Sequence, residues 1–174
     1  MIESPSARSA GASHAPLRAP LVHAALVDRA LDVNGLVQMV TDPGAGATSV
    51  FVGSVRDSNE GRGVAGIDYQ AYLAMAEREL RTIVDEAAQR FGTRGIAAEH
   101  RLGFLAVGEL SVAIAASHER RAAACDASRY VIEQIKRRLP VWKREHYTDG
   151  TREWVDPTRS APALAGTAEA GRGP

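Results

Sequence analysis

Hydrophobic and polar positions change period several times along this chain, and each change marks an element. Leu73, Ala76, Leu80, Ile83, Ala87 and Phe91 recur every three or four residues, which lays them along one face of an amphipathic helix. Gly92 follows as the residue that can end it in a left-handed turn. Cys125, Ser128, Ile132, Ile135 and Leu139 make a second stripe over residues 121–139. Pro140 lacks an N–H and its ring clashes with a preceding helical turn, so this helix stops near Leu139. Runs of β-branched and small residues at 21–27, 47–55, 64–72, 96–100, 110–116, 141–147 and 153–155 read as strands. Asp32 caps a short helix over 33–40, which Asp42-Pro43-Gly44 closes, and Asp57 to Gly63 form a polar loop with turn chemistry. The pattern predicts an α+β fold, a mostly antiparallel sheet with two main helices packed on it.

The ends differ from the middle. Residues 1–19 and 157–174 are rich in Ser, Ala, Gly, Pro and Arg without apolar periodicity. Neither stretch can bury enough apolar surface to offset the entropy of ordering, so both are expected to be disordered tails around a domain at 20–156. With 21 basic and 21 acidic residues the formal charge is zero, which disfavours a general nucleic-acid binder. One cysteine cannot form an internal disulfide, and no Cys/His spacing suggests a metal site. No run nears the roughly 18 apolar residues of a membrane span, and no secretory signal is visible. A cytoplasmic protein without metal or cofactor is expected.

Candidate chemistry concentrates near Pro140. Over residues 120–145 the basic residues Arg120, Arg121, Arg129, Lys136, Arg137, Arg138, Lys143 and Arg144 outnumber Asp126, Glu133 and Glu145, so a neutral chain has gathered positive charge in one segment. Such a cluster suits a local anion site. Lys136 falls about 60–80° from the centre of its helix's stripe. Two roles fit there: a partly desolvated amine able to move protons, or a snorkelling side chain with its head in water. Position alone favours the second. Beyond Pro140 a period of two puts Lys143 and Glu145 on one face and Trp142 and Arg144 on the other. Lys143 and Glu145 can be a surface ion pair or part of a site, while Trp142 and Cys125 are expected in the core. Gly53 precedes Arg56 at a strand end, where a bare glycine permits close approach by a ligand. Arg120 and Arg121 open the second helix, where the dipole disfavours cations. Either an anion or the nearby Glu119 and Asp126 would offset them.

Taken together, several segments resemble the large, catalytic subunit of molybdopterin synthase. They are Phe51-Val52-Gly53-Ser54-Val55-Arg56, Tyr69-Gln70-Ala71-Tyr72 with Met75-Ala76, His100-Arg101-Leu102-Gly103, Gly108-Glu109, the run from Lys136 to Glu145, Asp149-Gly150 and Trp154-Val155. Each is weak alone, but the ordered set is specific and covers about residues 20–156. The resemblance implies a sulfurtransferase of molybdenum-cofactor biosynthesis that converts cyclic pyranopterin monophosphate into molybdopterin. Sulfur would come from the thiocarboxylated C-terminal Gly-Gly of a ubiquitin-like small subunit, within a heterotetramer built on a homodimer of this chain. The absence of a C-terminal Gly-Gly here implies that this chain is not itself the carrier.

Carried over by the same resemblance, Lys136 is the essential lysine and Lys143 the second. Ser54, Val55, Arg56, Arg144 and Glu145 join them around the substrate, with Arg120 and Arg121 contributed to a neighbouring subunit's site. One position departs: Arg120 stands where the family usually carries histidine, with His118 two residues earlier. An arginine can replace an anion-binding histidine but not a proton-transferring one. Two other readings stay open, a non-catalytic relative that binds the ubiquitin-like carrier as a scaffold and an unrelated α+β binder of phosphorylated metabolites.

Overall fold

The computed structural model describes residues 19–155; both expected tails lie outside them, apart from residue 19. Two sheets share one body. The first has the order β1 (Leu21–Val27), β5 (Gly95–Arg101), β7 (Leu110–His118) and β2 (Ala47–Ser54). Its β1–β5 pair is parallel and its other pairs antiparallel. In the second, β4 (Arg62–Ala71) pairs along one edge with β8 (Val141–Tyr147), which pairs in turn with β9 (Arg152–Val155). The other edge of β4 takes two short strands, β3 (Ser58–Asn59) and β6 (Gly103–Ala106). Pattern reading misses both, because strands this short are specified by pairing with β4 rather than by their own period.

Helices α2 (Leu73–Phe91) and α3 (Arg121–Arg138) cover one face of the first sheet, and the short α1 (Val33–Met39) covers the other. Ile96, Ala98, Val112, Ile114 and Ala116 face α2 and α3, while Ala97, Ala113 and Ala115 lie under Leu36 and Val40. Strands buried on both faces lose the alternation of a half-solvated strand, and their alanines allow the helices to approach closely. Gly92 ends α2 at φ 61°, with its N–H donated to the Ala88 carbonyl. Leu139 caps α3 in extended conformation before Pro140, where the proline dictates the stop.

Two core expectations are corrected. Cys125 is exposed, because the buried stripe of α3 is Ala124, Ala127, Ser128, Val131, Ile132 and Ile135, and Cys125 lies about 100° from Ala124. Trp142 is 46% exposed, since the inner face of β8 is taken by Val141, Glu145 and Tyr147.

Tyr69 packs against both the helix-covered core and the core of the second sheet. It meets the His100 ring edge to face at 5.3 Å. His100 donates from Nδ1 to the Arg101 carbonyl at 3.0 Å, and burial pushes its imidazole down to about 4 from an ordinary 6.5. Between those values the unfolded chain binds a proton that the folded one refuses, so stability falls as pH drops from 6.5 towards 4. The loss from this group amounts to about 2 kcal/mol between pH 7 and 5. Urea unfolding at both pH values is expected to show it in the wild type and to lack that share in His100→Gln. Equal pH dependence in the two proteins would contradict this role.

Candidate active site

The second sheet and the end of β2 enclose a cavity of about 170 Å³ lined by Ser54, Arg56, Ser58, Asn59, Val64, Ile67, Tyr69, Lys143 and Glu145. Two irregularities shape it. A register shift at Gly53/Ser54 and another at Val64/Gly66 bend the strands that border it, as bulges beside sites commonly do. Cross-strand pairing sets Tyr69 directly opposite Lys143, and Ile67 opposite Glu145. A cation, a carboxylate, a phenol and an aliphatic wall therefore share one face. Burial pushes the Tyr69 hydroxyl above its ordinary range, so it stays protonated and able to donate.

Glu145 is 2% exposed and is the hub of the cavity's polar network. Asn59 Nδ2 and the Tyr147 hydroxyl both donate to its Oε2 at 2.9 Å, and Lys143 Nζ lies 3.4 Å from Oε1. A buried carboxylate needs such partners, so the Lys143–Glu145 pair is an element of the cavity rather than a surface ion pair. Asn59 reaches it from the β3–β4 hairpin, whose turn carries positive φ at Glu60 and Gly61. Arg62 anchors that hairpin: its guanidinium lies 3.4 Å over the Tyr147 ring and donates to Glu153, Thr151 and Asp149.

Not every candidate residue lines this cavity. Val55 is buried in the second sheet's core. Arg144 is on the opposite face of β8, donating to Asp68 at 2.9 Å and lying 5.3 Å over Trp154. The bare side of Gly53 does not wait for a ligand: a Cβ there would sit 2.8 Å from Val112 Cγ1, so the Val112 side chain fills the space. Lys136 is exposed in the last turn of α3. Only Glu119 and Arg120 separate β7 from α3, so the helix runs back along the strand it covers. Its last turn therefore returns to the end of the sheet where Val112 faces Gly53, the border of the cavity. Arg138 fixes that turn on α2 through Glu79 at 2.7 Å and Glu86 at 2.6 Å, which lowers the Glu86 carboxyl below its usual range.

Arg120 and Arg121 sit at the other end of α3, about 24 Å from Lys136 at the rise of a helix. His118 Nδ1 accepts the Arg120 backbone N–H at 2.8 Å just before the helix begins. Glu119 is turned away to Arg94, and neither arginine makes an ion pair among the described residues. Ser58, Asn59, Val64, Ile67 and Tyr69 also line the cavity, beyond the candidates expected from sequence. Alternation signalled Tyr69, but its partner across the sheet is a matter of register, and no local signal marked Asn59.

Comparison with known proteins gives one answer. Residues 26–138 match the family model described as MoaE protein. The molybdopterin synthase catalytic subunit of Oryza sativa subsp. japonica is 44% identical over 146 residues, 78% of this chain and 76% of the rice protein. That of Rattus norvegicus is 43% identical over 124 residues, 71% of this chain. The chain spans 62% of the length of the rat relative and 66% of the bovine one. The crystal structure of molybdopterin synthase from Staphylococcus aureus superposes with a TM-score of 0.71 at 32% identity, covering 75% of this chain and 95% of that one. The same α+β arrangement recurs at 23% identity and a TM-score of 0.62 in the Helicobacter pylori complex of subunits 1 and 2 of molybdopterin-converting factor. Since the matched segment runs from β1 through α3 and supplies Arg56, Tyr69 and Lys136, this chain belongs to the MoaE family.

Proposed function

We propose that this chain is the catalytic subunit of a molybdopterin synthase, a cytoplasmic sulfurtransferase that converts cyclic pyranopterin monophosphate to molybdopterin. The observation that carries the reading is the meeting of Arg56 and Lys143 in one cavity with two serine side chains, a phenol and an apolar wall. Two cations with hydroxyl donors suit a phosphate, and Val64, Ile67 and Tyr69 suit the rings beside it. Lys136, at the border, supplies the proton or the positive charge needed as the carrier's thiocarboxylate sulfur attacks the substrate's side-chain carbons. Each sulfur delivered leaves the carrier as a carboxylate, with water supplying the oxygen. In this reading the sulfur donor is the Gly-Gly tail of a ubiquitin-like small subunit; a second subunit is supported by the Helicobacter pylori neighbour, a complex of subunits 1 and 2 of molybdopterin-converting factor.

The reading includes a homodimer inside the assembly. Arg120 and Arg121 lie at the far end of α3 from Lys136 and do not line the cavity; by the family resemblance they serve the cavity of a second copy, and two small subunits complete a heterotetramer. The scaffold reading draws on Arg120, whose guanidinium cannot take over proton transfer from a histidine.

Calorimetric titration with cyclic pyranopterin monophosphate tests the cavity. Arg56→Ala is expected to weaken binding by about 10- to 100-fold, the worth of a charge-assisted hydrogen bond. Unchanged affinity would remove the cavity from the reading, and no affinity in either protein would leave the scaffold.

A further inference from the structure

The distances around Glu145 carry information that its charge alone does not. A carboxylate beside an ammonium draws it to about 2.8 Å when nothing competes. Here the Lys143–Glu145 contact is 3.4 Å, while the neutral donors Asn59 and Tyr147 hold the other oxygen at 2.9 Å. The carboxylate is thus bound more closely by two uncharged groups than by the cation two residues away on its own strand. Burial and the adjoining carboxylate push the Tyr147 hydroxyl above its ordinary range, so it remains a donor at any working pH. The Asn59 donor belongs to a different segment, the hairpin that Arg62 fastens to Asp149, Thr151 and Glu153. Lys143 is left with 24% of its side chain exposed in the cavity.

We propose that Asn59 is a positioning residue: by occupying Glu145 from the hairpin, it keeps Lys143 loosely paired and its ammonium available to an anion in the cavity. Glu145 then orients Lys143 without neutralising it. Removing one neutral donor concentrates the carboxylate's charge on the remaining partners, so Lys143 closes onto Glu145 and withdraws from the cavity. The inference rests on the proposed function only for its kinetic consequence, a higher KM for the phosphate-bearing substrate with kcat little changed.

The test needs no turnover. Reaction of Lys143 with acetic anhydride, followed by peptide mass spectrometry, reports how freely its amine is released in the ligand-free protein. Asn59→Leu is expected to slow labelling of Lys143 by about two- to ten-fold, the range set by one neutral hydrogen bond, and Asn59→Gln is expected to restore the rate. Tyr147→Phe keeps the ring beneath Arg62 and is expected to slow labelling in the same direction. An unchanged rate in Asn59→Leu, or a faster one from simple unmasking by a loosened hairpin, would overturn the proposal. In parallel assays, a raised KM in Asn59→Leu supports it, and a fall confined to kcat counts against it. Absence of product from the wild type would sink the proposed function, while the labelling rates would still decide the role of Asn59.

Discussion

Truncating Lys136 to alanine is expected to lower conversion of cyclic pyranopterin monophosphate by about 10³-fold, the scale of a lost acid–base group or a lost charge-stabilising donor. The change is informative because the site is exposed. Lys136 lies outside the buried stripe of α3, and the turn that holds it is fastened by Arg138 to Glu79 and Glu86. Exposed substitutions away from such anchors change stability by about 0.5 kcal/mol or less. Loss of the cation from the last turn adds at most about 1 kcal/mol through the helix dipole. A fall in rate without a comparable fall in melting temperature would therefore report chemistry. Steady-state rates with saturating carrier, set beside thermal unfolding of the same samples, make the comparison. A drop below ten-fold would return Lys136 to the snorkelling role that its position alone favours.

Complementation between two inactive variants is expected to give the other large effect. Arg121→Ala removes the arginine that the dimer reading assigns to a neighbour's cavity, and Lys136→Ala disables the chain's own. Each homodimer is expected to fall about 100-fold or more, by loss of a charge-assisted contact or of the reacting group. In a randomly mixed population half the dimers carry one chain of each kind, and one cavity in each of these has both residues intact. Mixing by co-expression should therefore restore about a quarter of wild-type activity, as two-fold symmetry requires. Recovery shows that α3 of one copy serves the other. If mixing restores nothing while Arg121→Ala alone stays inactive, the roughly 24 Å between the helix ends would have to be bridged some other way.

Much of this arrangement could be read from residue order, and its limits have physical causes. Pro140 ends α3 and Gly92 ends α2 because each dictates backbone geometry wherever it stands. The period of two along β8 set Lys143 beside Glu145 and turned Arg144 away, as the pairs with Asp68 and Trp154 bear out. Burial was less legible. Trp142 is large and apolar yet faces outward, while the charged Glu145 is buried, because a partner 86 residues away satisfies it. Asn59 carries no local sign of that contact, and β3 and β6 exist only through pairing with β4. Cys125 misled because α3 lies on an alanine-rich sheet with the small Ala124 and Ala127 inward. The charge concentration over 120–145 was real in sequence, but the fold puts Arg120 and Arg121 at one end of α3, Lys136 at the other, and Lys143 and Arg144 on opposite faces of β8.

The central claim is that this chain performs the sulfur transfer, and reconstituted conversion tests it most directly. Purified chain is combined with cyclic pyranopterin monophosphate and a small ubiquitin-like protein bearing a C-terminal thiocarboxylate, and molybdopterin is read as its fluorescent oxidation product. Product is expected from the wild type, dependent on the thiocarboxylate and nearly lost in Lys136→Ala. A stable complex with the small protein that yields no product would contradict the account and leave the chain a scaffold.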